Sequence, residues 1–125
     1  RSEKFERGLK TRRAVLGPDY VDRALENADA FNWAMQQLTT EWCWDEVWNR
    51  PGLDRRSRSI LNLGMLAAAN RPHEFKLHLR GALNNGVTKD ELKEIFLQVG
   101  IYCGVPAAMD CFRISKDVFK EMGID

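Results

Sequence analysis

Arg71, Glu74 and His78 lie within NRPHEFKLHLRGALNNG (residues 70–86) and bring a cation, a carboxylate and an imidazole into one short segment. If that segment is helical, Glu74 and His78 are i and i+4 on one face, with Arg71 at the entry to it. A carboxylate beside His78 favours the imidazolium form, and Arg71 favours ionised Glu74. The group therefore has the parts to hold an acid and pass a proton near neutral pH. Spacing alone favours a plainer reading, an exposed ion pair whose Glu complements the dipole of the first turn, because charge pairs also arise structurally.

Other reactive residue types give weaker patterns. His73-Glu74 followed by His78 has one residue too many for the zinc motif H-E-x-x-H. Five residues at about 100° each leave the two imidazoles roughly 140° apart on a helix, so no metal is expected. In TEWCWDEVWNR (residues 40–50), Trp44 and Trp48 are i and i+4 and predict an aromatic ridge, serving as core, subunit interface or pocket lining. Arg55, Arg56 and Arg58 form a basic cluster, ordinarily a solvated face, from which one guanidinium can grip a substrate carboxylate through two parallel hydrogen bonds. Cys43, Cys103 and Cys111 are odd in number and lack C-x-x-C spacing, which predicts buried, reduced thiols rather than a disulfide framework.

Helices must position these groups, and the Gly and Pro punctuation supplies them. Pro72 suits a first turn and Gly86 the residue just past an end, so a helix is predicted from about 72 to 85. Gly17-Pro18 separates a helix over 3–16 from a short second one, and Asp29 is a plausible cap for a longer helix through Trp48. A helix from Asp54 to Ala69 is apolar nearly all round in its second half, which predicts a place at the centre of the fold or of an oligomer. Thr88-Lys89-Asp90-Glu91 reads as a capping box, Gly104 ends the helix it opens, and Pro106 starts the last one. That last helix is predicted to bury a stripe of Val105, Ala108, Met109, Phe112, Phe119 and Met122. No segment alternates at period two, so the expectation is an all-α fold of six or seven helices.

With 125 residues and 44% hydrophobic side chains, the chain has material for a single core, and one domain over residues 1–125 is expected. A formal charge of +1 without a basic stripe argues against nucleic acid as a partner. The longest apolar run, residues 60–69, is broken by Asn62 and falls well short of the roughly 20 residues that cross a bilayer. A cytoplasmic protein without membrane partners is the expectation. A small chain with an all-round apolar helix is expected to form a homo-oligomer.

The run RPGLDRRSRSILNLGMLAAANRPHEFKLHLRGALNNGVTKDELKEIFLQVGIYCGVPAA (residues 50–108) resembles the carboxymuconolactone decarboxylase family, with NRPHE, H-x-R-G-A-L-N-N-G and YCGVPAA as its most specific phrases. Peroxidase-type disulfide reductases of the wider superfamily carry C-x-x-C-x-x-x-H on this helix. Here Arg71 and Glu74 stand at the cysteine positions and His78 is kept, while Ser59 stands where those relatives carry a Glu. The resemblance implies a helical trimer or hexamer and cofactor-free decarboxylation of a γ-lactone bearing a ring carboxylate and an acetate arm, giving 3-oxoadipate enol-lactone in aromatic catabolism. It implies His78 and Glu74 as catalytic acid/base groups and Arg71 as a carboxylate anchor, with Arg55 and Trp44 as further substrate-binding residues near a subunit contact. The alternatives are a decarboxylase or isomerase of another small carboxylated substrate, or a non-catalytic helical oligomer that binds a ligand.

Overall fold

Cap chemistry sets most helix ends in the computed structural model, which describes all 125 residues. Helix α1 (Glu3–Leu16) starts at Ser2, whose hydroxyl accepts from the Phe5 amide, and stops at Gly17, where φ is 93°. Pro18 occupies the first turn of α2 (Pro18–Glu26), where its missing N–H costs nothing. The Asp29 carboxylate accepts from the amides of Phe31 and Asn32 at 2.9 and 3.1 Å, just ahead of α3 (Trp33–Leu38). The single α-helix expected from Asp29 to Trp48 does not persist, because Thr39–Val47 is π-helical. The Trp48 amide accordingly bonds five residues back, to the Cys43 carbonyl, at 3.0 Å.

Packing against α1 explains the wider turn. A Cβ on Gly8 would lie 1.9 Å from the Thr40 carbonyl oxygen, so glycine is what lets the two backbones meet. Among the side chains that bond α1 are Gln36, Thr40, Asp45 and Asn49, spaced by four, five and four residues. In an α-helix the five-residue step would turn Asp45 roughly 140° from Thr40. The π segment absorbs the extra residue and returns Asp45 to α1. There Asp45 is 7% exposed and accepts from Arg7 Nε and Nη2 at 3.2 and 3.1 Å, while the Thr11 hydroxyl donates to Asn49 at 2.7 Å. Arg12, 6% exposed, donates from Nη1 to Gln36 Oε1 at 2.9 Å and Thr40 Oγ1 at 3.3 Å. Trp44 and Trp48 stack with centroids 4.8 Å apart, so the expected ridge is part of the interior of this unit, Arg1–Arg55.

The second compact unit, Arg56–Asp125, is built from α4 (Arg55–Ala68), α5 (Pro72–Asn84), α6 (Lys89–Cys103) and α7 (Val105–Met122). Its core gathers Leu63, Phe75, Leu79, Leu92, Phe96 and Val118, with the Phe96 ring 5.7 Å from Phe75 and edge-on to Phe112 at 5.3 Å. The capping box is complete, Glu91 N–H donating to Thr88 Oγ1 and Thr88 N–H to Glu91 Oε1. Two expectations need correction. On α7 the buried residues are Ala108, Cys111, Ile114, Ser115 and Val118, whereas Val105, Met109 and Phe112 remain exposed. The apolar positions of α7 cover more than one face, and sequence cannot say which face its neighbours take. On α4 only Ser59 and Leu63 are fully buried, and Leu61 and Met65 stay half-exposed, so of the two places expected for this helix, the centre of the chain's own fold is the one corrected. The chain has seven α-helices and no strand.

Candidate active site

The joint between α4 and α5 determines where Arg71 stands. Asn70 adopts φ 56°, the left-handed conformation that a short amide side chain tolerates. The Asn70 amide bonds the Ala67 carbonyl at 3.2 Å and the Arg71 amide bonds Leu66 at 3.0 Å, closing α4 before Pro72 opens α5. Arg71, exposed, borders a cavity of about 350 Å³ with Phe75, Cys103, Pro106, Asp110 and Cys111. Neither Glu74 nor His78 lines that cavity. His78 follows Arg71 by two turns, roughly 10 Å along the axis and about 20° around it, so both lie on one side of α5.

His78 is half-buried, and its Nδ1 sits 3.2 Å from Asn62 Nδ2 on α4. Burial pushes its pKa below the ordinary 6.5, and the charge of exposed Glu74 restores only part of that loss. The balance is opposite to the one expected from spacing: desolvation outweighs the carboxylate, and the imidazole is neutral near pH 7. A half-buried ring fixed by an amide also differs from the exposed ion pair that spacing alone favours. His73 is exposed in the first turn.

The remaining candidates fall elsewhere. Ser59, at the position of the relatives' Glu, is fully buried and accepts from Asn85 Nδ2 at 2.9 Å. Trp44 is 3% exposed and stacked on Trp48 in the first unit. Arg55 is exposed and donates from Nη2 to the Thr11 hydroxyl at 3.3 Å, while Arg56 forms an ion pair with Glu91. Burial pushes the Cys43 thiol up and the Cys111 thiol up to about 11, so both stay protonated and weakly nucleophilic. Cys103 is exposed, contrary to the expectation that all three cysteines are buried. Asn62 belongs to the site although no sequence motif singles it out. Its signal was visible as the lone amide within ILNLGMLAAA, since a polar group among apolar ones needs a partner.

No helix is long and apolar enough to cross a membrane. Residues 34–117 match the carboxymuconolactone decarboxylase family. The chain is 43% identical over 122 residues to the 4-carboxymuconolactone decarboxylase of Acinetobacter baylyi, covering 98% of this chain and 91% of that protein. It is 44% identical over 118 residues to the nitrosuccinic acid decarboxylase of Metarhizium robertsii, covering 94% and 82%. With a family match over most of its length and similarity to two decarboxylases from end to end, this all-helical chain belongs to the carboxymuconolactone decarboxylase family.

Proposed function

We propose that the protein is a carboxy-lyase that converts 4-carboxymuconolactone to 3-oxoadipate enol-lactone without a cofactor, in the cytoplasm, as a step of aromatic catabolism. The observation that carries this reading is the 43% identity to the lactone decarboxylase across 98% of the chain. The chemistry fits the residues. When CO₂ leaves the ring carbon, its bonding electrons pass through the ring double bond to the lactone carbonyl, so the substrate is its own electron sink. What remains is a dienolate that needs its oxygen stabilised and its α-carbon protonated. Arg71 orients a substrate carboxylate with its planar fork. His78, neutral and half-buried, stabilises the enolate oxygen, and His78 and Glu74 together deliver the proton to carbon. Arg55, exposed, retains the proposed substrate-binding role across a subunit contact, whereas Trp44 is buried and stacked on Trp48.

A homo-oligomer, trimer or hexamer, belongs to this proposal. Ile101 and Tyr102 at the end of α6 are 83% and 82% exposed, and Leu97, Val105 and Met109 extend the apolar surface. Light scattering reads the assembly directly, and a monomer would remove the oligomer.

A second reading is favoured by the 44% identity to a nitrosuccinic acid decarboxylase. Nitrosuccinic acid also carries two carboxyl groups, one on a carbon bonded to an electron-withdrawing group, here nitro. Loss of that CO₂ leaves a nitronate with the same need for charge stabilisation and protonation. The experiment is proton NMR in D₂O with each substrate, beside an enzyme-free control. Accelerated loss of 4-carboxymuconolactone, with deuterium on the α-carbon, is expected; acceleration of nitrosuccinate alone would move the assignment to the second reading.

A further inference from the structure

Polar contacts cross the α4–α5 seam beside buried apolar side chains. Asn85 Nδ2 donates to Ser59 Oγ at 2.9 Å, and Asn62 Nδ2 lies 3.2 Å from His78 Nδ1. Ser59 and Asn62 are i and i+3 on α4, while His78 on α5 and Asn85, the residue that caps its C-terminal end, are i and i+7, so the two elements are tied at two levels. Leu63 and Leu79, both fully buried, flank the contacts and keep the register of the seam. Asn62 therefore meets one ring nitrogen of His78 in a fixed orientation, away from much competition by water.

From this geometry we infer that Asn62 is the positioning residue of His78: its amide donates to Nδ1 and thereby assigns the imidazole proton to Nε2. An imidazole nitrogen that accepts a hydrogen bond carries a lone pair, and in the neutral ring the proton then resides on the other nitrogen. The hydrogen-bond donor of the site becomes Nε2–H, with a ring plane fixed by α4 rather than by substrate. The inference rests on the proposed catalytic role of His78 and adds to it the atom that acts and the residue that selects it. Asn62 touches neither substrate nor the reacting atoms; its effect passes through His78.

Nitrogen-15 NMR of histidine-labelled protein tests it without reference to turnover. The chain has two histidines, and His73→Gln assigns them. In wild-type protein at neutral pH, His78 should show a protonated Nε2 and a lone pair on Nδ1. Asn62→Asp is nearly isosteric but only accepts, so it should move a proton onto Nδ1 while the fold is retained. With 4-carboxymuconolactone, Asn62→Asp and Asn62→Ala should lower kcat about tenfold or more, within the roughly 10²–10⁴-fold that a positioned proton-transfer group supplies, and change KM less. Asn62→Ser, whose hydroxyl can donate to Nδ1, should recover part of the tautomer and part of kcat. A wild-type Nδ1–H tautomer, a tautomer unchanged in Asn62→Asp, or full kcat in folded Asn62→Ala would each overturn the inference. Full turnover in His78→Ala, with the Nε2–H tautomer present in wild type, would instead overturn the catalytic reading beneath it and leave Asn62 a purely structural partner.

Discussion

Along the seam between α1 and the π segment, Arg7 meets Asp45, Thr11 meets Asn49, and Arg12 meets Gln36 and Thr40. Between α4 and α5, Ser59–Asn85 and Asn62–His78 cross a seam of Leu63, Leu79 and Ala82. The first region spends its polar groups on one another, so their chemistry is largely consumed by structure. The second sets a half-buried titratable ring beside buried apolar side chains, with an amide at one nitrogen. Polar density is therefore a poor guide to function in this chain. A polar group that breaks an apolar context is a better one.

The sharpest way to break the contrast is His78→Ala. Turnover is expected to fall by roughly 10²–10⁴-fold with the helical circular dichroism unchanged; an equal loss from Thr11→Ala, measured in parallel, would erase the distinction between the regions. Glycine substitutions probe packing in each region. Gly8→Ala drives a methyl group into the Thr40 carbonyl and is expected to cost about 3 kcal/mol or more in urea denaturation. Gly64→Ala, in mid-α4 with nothing within 4 Å of the added carbon, is expected to stabilise by about 0.5–1 kcal/mol. Destabilisation by Gly64→Ala would mean that α4 meets a close neighbour there.

The smallest effect is a difference in pH response. Burial alone would raise the Asp45 carboxyl, but hydrogen bonds from Arg7, Asn49 and Lys4 outweigh it and hold the group below the ordinary 3.8. The folded His78 lies below 6.5 because burial outweighs Glu74. In both cases the unfolded chain takes up the proton first, so stability rises with pH across the window. The Asp45 contribution is complete above about 3.8 and lost as pH falls through its folded value; the His78 contribution is complete above about 6.5 and lost below that. Between pH 7 and 5, hydrogen exchange should therefore loosen α5 before α1. Equal loosening of both would contradict the assignment of the shifts.

Helix ends were legible because they rest on local chemistry: Gly17-Pro18, Pro72, Thr88 with Glu91, and Gly104 each act within a few residues. What needed a second element was not legible. The spacing of Glu74 and His78 shows attraction but not how much water the ring loses to its neighbours, and that loss reverses the direction of the pKa. The placing of Glu74 beside His78 followed from the period of the helix; the Asn62 contact depends on the register of α4 against α5, which no single segment encodes. The buried face of α7 and the separate cavity beside Arg71 were hidden for the same reason.

The four-five-four rhythm of Gln36, Thr40, Asp45 and Asn49 makes Thr39–Val47 a phase adjuster between two angular frames. Removing one residue between Thr40 and Asp45 would leave a better α-helix locally, since the widened turn would close. A four-residue α step turns by about 40°, so the same deletion would keep Asp45 on the face that Thr40 presents to α1, with all four bonding positions then spaced by four. Gln36 and Thr40 could then keep Arg12 while Asp45 kept Arg7. An α-helix one residue shorter and the π segment one residue longer thus present the same face to α1, and the widened turn is how the helix carries an inserted residue without losing its partners.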